Sequence, residues 1–318
     1  MQQEYILDTV LEKINNLKQK HNAVILAHNY QSGEVQDIAD FAGDSLGLSI
    51  TASKTDADVI VFCGVLFMAE TAAILSPDKI VLLPDKHAGC PMADMITGPE
   101  LRKLKQKHPN ALVVCYVNSS AEVKAESDYC CTSANAVEVV NSLPEDKEIL
   151  FVPDKNLGQY TAQKTNRKLI LWPGYCPSHV VITEKDLKKA KEEHPDAIVM
   201  AHPECPESVK AISDQILSTG QMLKFAKQSK IRKFIIATET GIIHTLKKEN
   251  PDAEFIPAAP KAVCPNMKKI TLEKVLWALE DLGNPSSEKS KYRVTVPADI
   301  REKAKKSLDR MIEILPKN

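Results

Sequence analysis

The chain has 318 residues, 43% of them hydrophobic, and sets 41 basic against 42 acidic side chains for a net charge of -1. This length supports more than one core, and the charge balance excludes a bulk attraction to nucleic acid or to an anionic membrane, leaving small molecules as the expected partners. Residues 1–20 read as a charged amphipathic helix with no apolar secretion core behind it. The longest nearly unbroken apolar run, residues 59–69, is too short to cross a bilayer. The expected location is the cytoplasm, where eight cysteines are buried thiols or metal ligands rather than disulfides.

One pattern opens each third of the chain: His21-Asn-Ala-Val-Ile-Leu-Ala-His28-Asn-Tyr30, His108-Pro-Asn-Ala-Leu-Val-Val-Cys-Tyr116-Val-Asn118, and His194-Pro-Asp-Ala-Ile-Val-Met-Ala-His202-Pro-Glu204. The offsets are 88 residues (Ala23 to Ala111) and 86 residues (Ala111 to Ala197). They superimpose His28, Tyr116 and His202, then Tyr30, Asn118 and Glu204, at positions two apart that share one face of a strand. The same offsets align Ser45, Ser133 and Thr219 ahead of helical segments at 46–54, 134–142 and 220–227, where the hydroxyls read as N-caps. Further apolar runs follow at 58–64, 148–152 and 233–237, and last at 79–83, 168–172 and 254–256.

Short apolar runs alternating with helices predict parallel strands buried on both faces. The fold class is α/β: three repeated αβα sandwich domains with small parallel sheets, related by pseudo-threefold symmetry around a central site. The domains are expected at 1–105, with the N-terminal helix, at 106–190 and at 191–268, with 269–318 as C-terminal helices packing back on the body. That last segment reads as a helix at 272–281, a polar loop at 283–291 and an amphipathic helix at 297–315.

Cys90, Cys176 and Cys264 lie just past the last strand of each copy, and all three are followed by proline. A core cysteine has no reason to recur in this way, so the three read as ligands to one shared metal group. Zinc fits with His179 as a fourth ligand, at Cys-x-x-His spacing from Cys176. A 4Fe-4S cluster on three thiolates leaves one iron open as a Lewis acid, which is dehydratase chemistry. Cys63, Cys115, Cys130, Cys131 and Cys205 read as structural. His28, Tyr30, Tyr116, Asn118, His202 and Glu204, with Ser45, Ser133 and Thr219, would ring the metal and suit a substrate with several carboxylate or phosphate groups.

Ala27-His-Asn-Tyr-Gln31, Asp40-Phe-Ala-Gly-Asp-Ser45, Phe67-Met-Ala-Glu-Thr71, Tyr116-Val-Asn-Ser119, Thr132-Ser-Ala-Asn-Ala136, Pro153-Asp-Lys-Asn-Leu157, His202-Pro-Glu-Cys205 and the three cysteines occur in order along nearly the whole chain. In these stretches the chain closely resembles the quinolinate synthase family. The resemblance implies three αβα domains about a pseudo-threefold axis and one oxygen-sensitive 4Fe-4S cluster on Cys90, Cys176 and Cys264. It implies condensation of iminoaspartate with dihydroxyacetone phosphate to quinolinate, the pyridine precursor of NAD, with an aspartate-oxidising enzyme as the source of iminoaspartate. By the same likeness Tyr30, Tyr116, Asn118, His202 and Glu204 line the pocket, with Glu204 and Tyr30 as the leading proton carriers, joined by His202 and Tyr116. His28, Ser45, Ser133, Ser218 and Thr219 hold carboxylates or phosphate, and His179 matches a further pocket position. Some members carry a Cys-x-x-Cys-x-x-Cys run near the last ligand, which Lys261-Ala-Val-Cys-Pro-Asn-Met267 lacks. The alternatives are an open-iron hydro-lyase acting on a hydroxy acid and a non-enzymatic iron-sulfur sensor.

Overall fold

The computed structural model describes residues 2–282 and 290–314, so positions 283–289 of the expected polar loop and position 315 of the expected last helix lie outside the described residues. The chain divides into two compact units, Met1–Cys90 with Pro265–Pro297 and Pro91–Cys264 with Ala298–Asn318.

The first unit carries the sheet of β1 (Ala23–His28), β2 (Phe41–Gly43), β3 (Val59–Cys63) and β4 (Ile80–Leu82), in the order β2-β1-β3-β4. The second carries two more. One comprises β5 (Leu112–Tyr116), β6 (Tyr129–Cys131), β7 (Ile149–Val152) and β8 (Ile170–Leu171), ordered β6-β5-β7-β8. The other comprises β9 (Ile198–Ala201), β10 (Gln215–Ile216), β11 (Lys233–Ala237) and β12 (Glu254–Pro257), ordered β10-β9-β11-β12. All pairings within these sheets are parallel, so the expected three small parallel sheets flanked by helices are present. In each order the first and third strands are neighbours and the chain reverses its direction of travel between them, which opens a crevice at their carboxyl ends.

The repeat extends to register. Leu26 pairs with Phe41, Val114 with Tyr129 and Met200 with Gln215, at the same offsets of 88 and 86 residues in both partners. The second strands are only two or three residues long and do not reach the whole of the first strand. An aspartate completes each ladder: Ile25, Val113 and Val199 donate their backbone N–H groups to Asp40, Asp128 and Asp214 Oδ2, each at 2.8 Å. Each aspartate N–H returns a bond to the carbonyl of the same residue. The buried donors next to the short strand are thereby satisfied.

The helix starts differ from the expected ones by one or two positions. Asp44, not Ser45, caps the helix Ser45–Lys54, accepting from Gly47 N–H at 2.8 Å. Ser218, not Thr219, caps Thr219–Gln228 in a capping box with Gln221. Asn135 precedes Ala136–Asn141, leaving Ser133 two residues outside that helix. Where two capping residue types stand side by side, the one whose oxygen reaches the N3 amide takes the role. Ser45 and Thr219 therefore occupy first-turn positions, and the cap bonds are made by their neighbours.

Each of Cys90, Cys176 and Cys264 stands seven residues before a threonine N-cap, Thr97, Thr183 or Thr271. The helices that follow are Gly98–Lys107, Glu184–Glu193 and Leu272–Asp281. Leu272–Asp281 packs on the N-terminal helix Gln2–Lys20 within the first unit, and Ala298–Glu313 packs on Ala121–Ala125 and β6 within the second.

Asp128→Ala leaves the buried Val113 N–H without its charged acceptor. A loss of about 1–3 kcal/mol is expected, read as a lower denaturation midpoint, with Asp128→Asn losing less.

Candidate active site

In the first unit, β1 delivers His28 and, two residues on, Tyr30, both buried. Tyr30 N–H donates to His28 Nδ1 at 3.2 Å, and the two rings meet edge to face at 4.6 Å. An imidazole that accepts on Nδ1 carries its proton on Nε2 when neutral, so His28 presents a donor there. Ser45 lies in the first turn of the helix after β2, and Cys90 follows β4 in a half-buried loop.

The second unit assembles a larger cluster at the ends of β5 and β9. Tyr116 ends β5, and its phenol donates to Glu204 Oε1 at 2.5 Å; Asn118 Nδ2 reaches the same oxygen at 3.5 Å. Glu204 Oε2 lies 2.6 Å from His179 Nδ1 and 3.8 Å from His202 Nδ1. Glu204 is only 3% exposed, and the rings of His179 and His202 stack at 4.7 Å. Burial alone would raise the Glu204 pKa, yet the two imidazoles, His179 foremost, and the Tyr116 hydroxyl hold it well below the usual carboxylate range.

His202 repeats the geometry of His28: Glu204 N–H donates to its Nδ1 at 3.3 Å, and its Nε2 lies 3.2 Å from Ser133 Oγ. Asn118 Oδ1 is buried with no hydrogen-bond partner among the described residues, an acceptor suited to a ligand N–H or O–H. Ser218 and Thr219 follow β10, one strand from β9, with the Ser218 oxygen committed to its helix cap.

His179 Nδ1 is also 3.1 Å from Cys176 Sγ, and its Nε2 is 2.8 Å from Thr238 Oγ1. Cys176 Sγ, the His179 ring and Glu204 bring one ligand atom each within 4.8 Å of one another. Cys264 is held by its backbone, whose N–H donates to Glu239 Oε1 at 3.0 Å while Glu239 Oε2 accepts from Gly241. The donor set fits a thiolate-bound group. Cys90, Cys176 and Cys264 are half-buried in Cys-Pro loops, whereas the other five cysteines are fully buried, and burial pushes the Cys63 and Cys205 thiols up, Cys205 to about 12.

Sequence reasoning missed Asp154, Asn156, Thr238 and Glu239, which follow the third strands β7 and β11. Asn156 Nδ2 donates to the Glu204 carbonyl at 3.2 Å. Asp154 accepts from Leu157 N–H at 2.7 Å through Oδ1, while its buried Oδ2 has no partner among the described residues. Burial and the negative charge of Glu204 push its pKa up to about 8. The Pro153-Asp-Lys-Asn-Leu157 stretch was the available signal.

The family model described as quinolinate synthetase A protein matches residues 12–313. The chain belongs to the quinolinate synthase family. It is similar to a quinolinate synthase of Dehalococcoides mccartyi strain CBDB1, with 54% identity over 97% of this chain and 99% of the relative. It also resembles that of Geotalea uraniireducens strain Rf4, at 54% identity over 96% and 98%, and that of Methanosarcina barkeri strain Fusaro, at 55% over 96% and 97%. A quinolinate synthase is an enzyme, and the buried Glu204 cluster is where this chain concentrates acid-base groups. Among the described residues no helix is long and apolar enough to cross a membrane.

Because the folded pKa of Asp154 lies above its unfolded value of 3.8, the native state holds a proton that the unfolded chain has released. Stability attributable to this group is therefore present at low pH and is lost as pH rises toward about 8. Asp154→Asn keeps an oxygen for the Leu157 cap and cannot ionise. Its unfolding midpoint should gain on wild type between pH 5 and pH 9, with little difference at pH 4; parallel pH curves would count against this assignment.

Proposed function

We propose that this chain condenses iminoaspartate with dihydroxyacetone phosphate to quinolinate, releasing phosphate and two waters, as a step in NAD formation in the cytoplasm. Membership of the quinolinate synthase family supports this reading, and the observation that carries it is the Glu204 cluster. A condensation with two dehydrations needs repeated proton removal and return, and Glu204 Oε1 with the Tyr116 hydroxyl is a short-bonded acceptor and donor pair suited to both. Glu204 takes a proton at a carboxylate oxygen, and Tyr116 and His179 return one to a departing oxygen. The Nε2–H of His202, beside Ser133, and that of His28 bind carboxylate or phosphate oxygens of the substrates, while Asn118 Oδ1 accepts from a substrate N–H or O–H. Tyr30 is the further proton carrier, and Ser45, Ser218 and Thr219 complete the anion contacts at helix starts.

Cys90, Cys176 and Cys264 would hold one 4Fe-4S cluster, which, when bound, supplies a Lewis acid at the iron lacking a protein sulfur. An enzyme that oxidises aspartate would supply the unstable imine. The closeness of Cys176, His179 and Glu204 favours a second reading, a zinc ion on that trio. The hydrogen bonds within the trio offer an alternative account of its closeness, since His179 already joins the carboxylate and Thr238.

Anaerobic, iron-loaded protein mixed with freshly generated iminoaspartate and dihydroxyacetone phosphate should yield quinolinate and one phosphate. No product, or turnover without the triose phosphate, would reject the reaction; a colourless protein with stoichiometric zinc would favour the second reading. Removing the Tyr116 hydroxyl in Tyr116→Phe deletes a buried donor to an ionised carboxylate, so the Glu204 pKa should rise. With the donor gone, kcat is expected to fall by about tenfold or more, which an unchanged kcat would contradict.

A further inference from the structure

The residues that carry the site in each repeat, Tyr30, Asn118 and Glu204, stand on loops just past the first strand. Six residues beyond each comes one position of the repeat: Gln36, Lys124 (88 on) and Lys210 (86 further). All three end or run through the short helices Gly33–Asp37, Ala121–Ala125 and Glu207–Lys210. None is at the surface, with exposures of 5%, 0% and 3%. Lysine is almost never buried this deeply unless its ammonium is fully occupied, and here two of three equivalent positions bury one.

Their bonds share one pattern. Gln36 Nε2 donates to the carbonyls of Asn29, at 3.2 Å, and Gln31, at 2.9 Å, the residues on either side of Tyr30. Lys124 Nζ donates to Ser119 O at 2.6 Å, the counterpart of Gln31 and the neighbour of Asn118. Lys210 Nζ donates to Pro203 O at 3.3 Å, the counterpart of Asn29 and the neighbour of Glu204. Lys210 also donates to Asn156 O at 2.8 Å, and the Asn156 side chain in turn holds the Glu204 carbonyl. In the first repeat Lys268 adds a bond to the remaining carbonyl, that of Tyr30. The side chain at this position changes from amide to ammonium, but its task of gripping the carbonyls that flank the site residue does not.

We propose that positions 36, 124 and 210 form a thrice-repeated clamp, in which Gln36, Lys124 and Lys210 are positioning residues for Tyr30, Asn118 and Glu204. The clamp rests on the proposed function only for its kinetic consequence; its structural consequence stands apart. The ammonium charge is dispensable where an amide can reach the same oxygens, and the donor is not.

The test compares Lys210→Met, which keeps the stem and loses the donor, with Lys210→Gln, which installs the residue the first repeat uses. Amide exchange at Glu204 and Cys205 in the full chain should quicken by about tenfold or more in Lys210→Met and by much less in Lys210→Gln. In the iron-loaded enzyme kcat should fall by about tenfold or more in Lys210→Met at near-constant KM, because a small displacement of Glu204 weakens transition-state contacts. Lys210→Gln should restore most of it. If Lys210→Met does not fold, Gln36→Leu against Gln36→Lys, read at Tyr30 and Gln31, decides the matter in the same way. Unchanged exchange on losing the donor, or no rescue by the swapped donor, overturns the clamp. A lower melting temperature with kcat intact assigns these positions to stability alone. Wild-type protein that makes no quinolinate while the exchange pattern holds would reject the reaction and leave the clamp standing.

Discussion

An ionised carboxylate survives in a protein interior only if donors replace the water it has lost. For Glu204 those donors come from two separate stretches of chain: Tyr116 and Asn118 at and just past the end of β5, and His179 in the turn after Cys176. The requirement couples two sheets of the second unit through a single side chain. Tyr116 cannot move away without stranding a buried charge, and neither can the loop that carries His179 and Cys176. Glu204 is therefore a principal tie between the elements that surround it.

The neighbouring acid behaves oppositely. Asp154 shares the burial of Glu204 but is met by backbone amides alone, and its second oxygen is unpartnered among the described residues. One carboxyl is stabilised as an anion and the other as a neutral acid, and each reinforces the other's state, since two uncompensated negative charges at this depth would repel. Environments that drive like groups apart in this way are typical of sites that manage protons.

Much of this was legible in the sequence because the repeat keeps chemistry and spacing together. The first strands and the Cys-Pro loops recur with recognisable residue types at offsets of 88 and 86. Of the second strands, β2 and β10 were not legible, because two or three residues carry no periodic signal. The caps slipped by a residue where Asp44-Ser45 and Ser218-Thr219 set two capping types side by side. Asp154 and Glu239 were missed because the third-strand ends do not repeat a residue type: the position two beyond the strand is Val65 in the first copy and an acid in the other two. Lys124 and Lys210 were hidden by their identity, since a lysine in a polar helix reads as a solvated surface residue until its burial is seen.

The cysteines divide by burial, and the division governs how the protein meets oxidants. Five thiols are sealed in the core and three are accessible, and attack by peroxide or oxygen follows thiolate character and exposure. An oxidant entering this protein would thus meet Cys90, Cys176 and Cys264 before any of the five buried thiols. Injury would be concentrated in the three Cys-Pro loops, where reduction can undo it, and the packed core would outlast many such events.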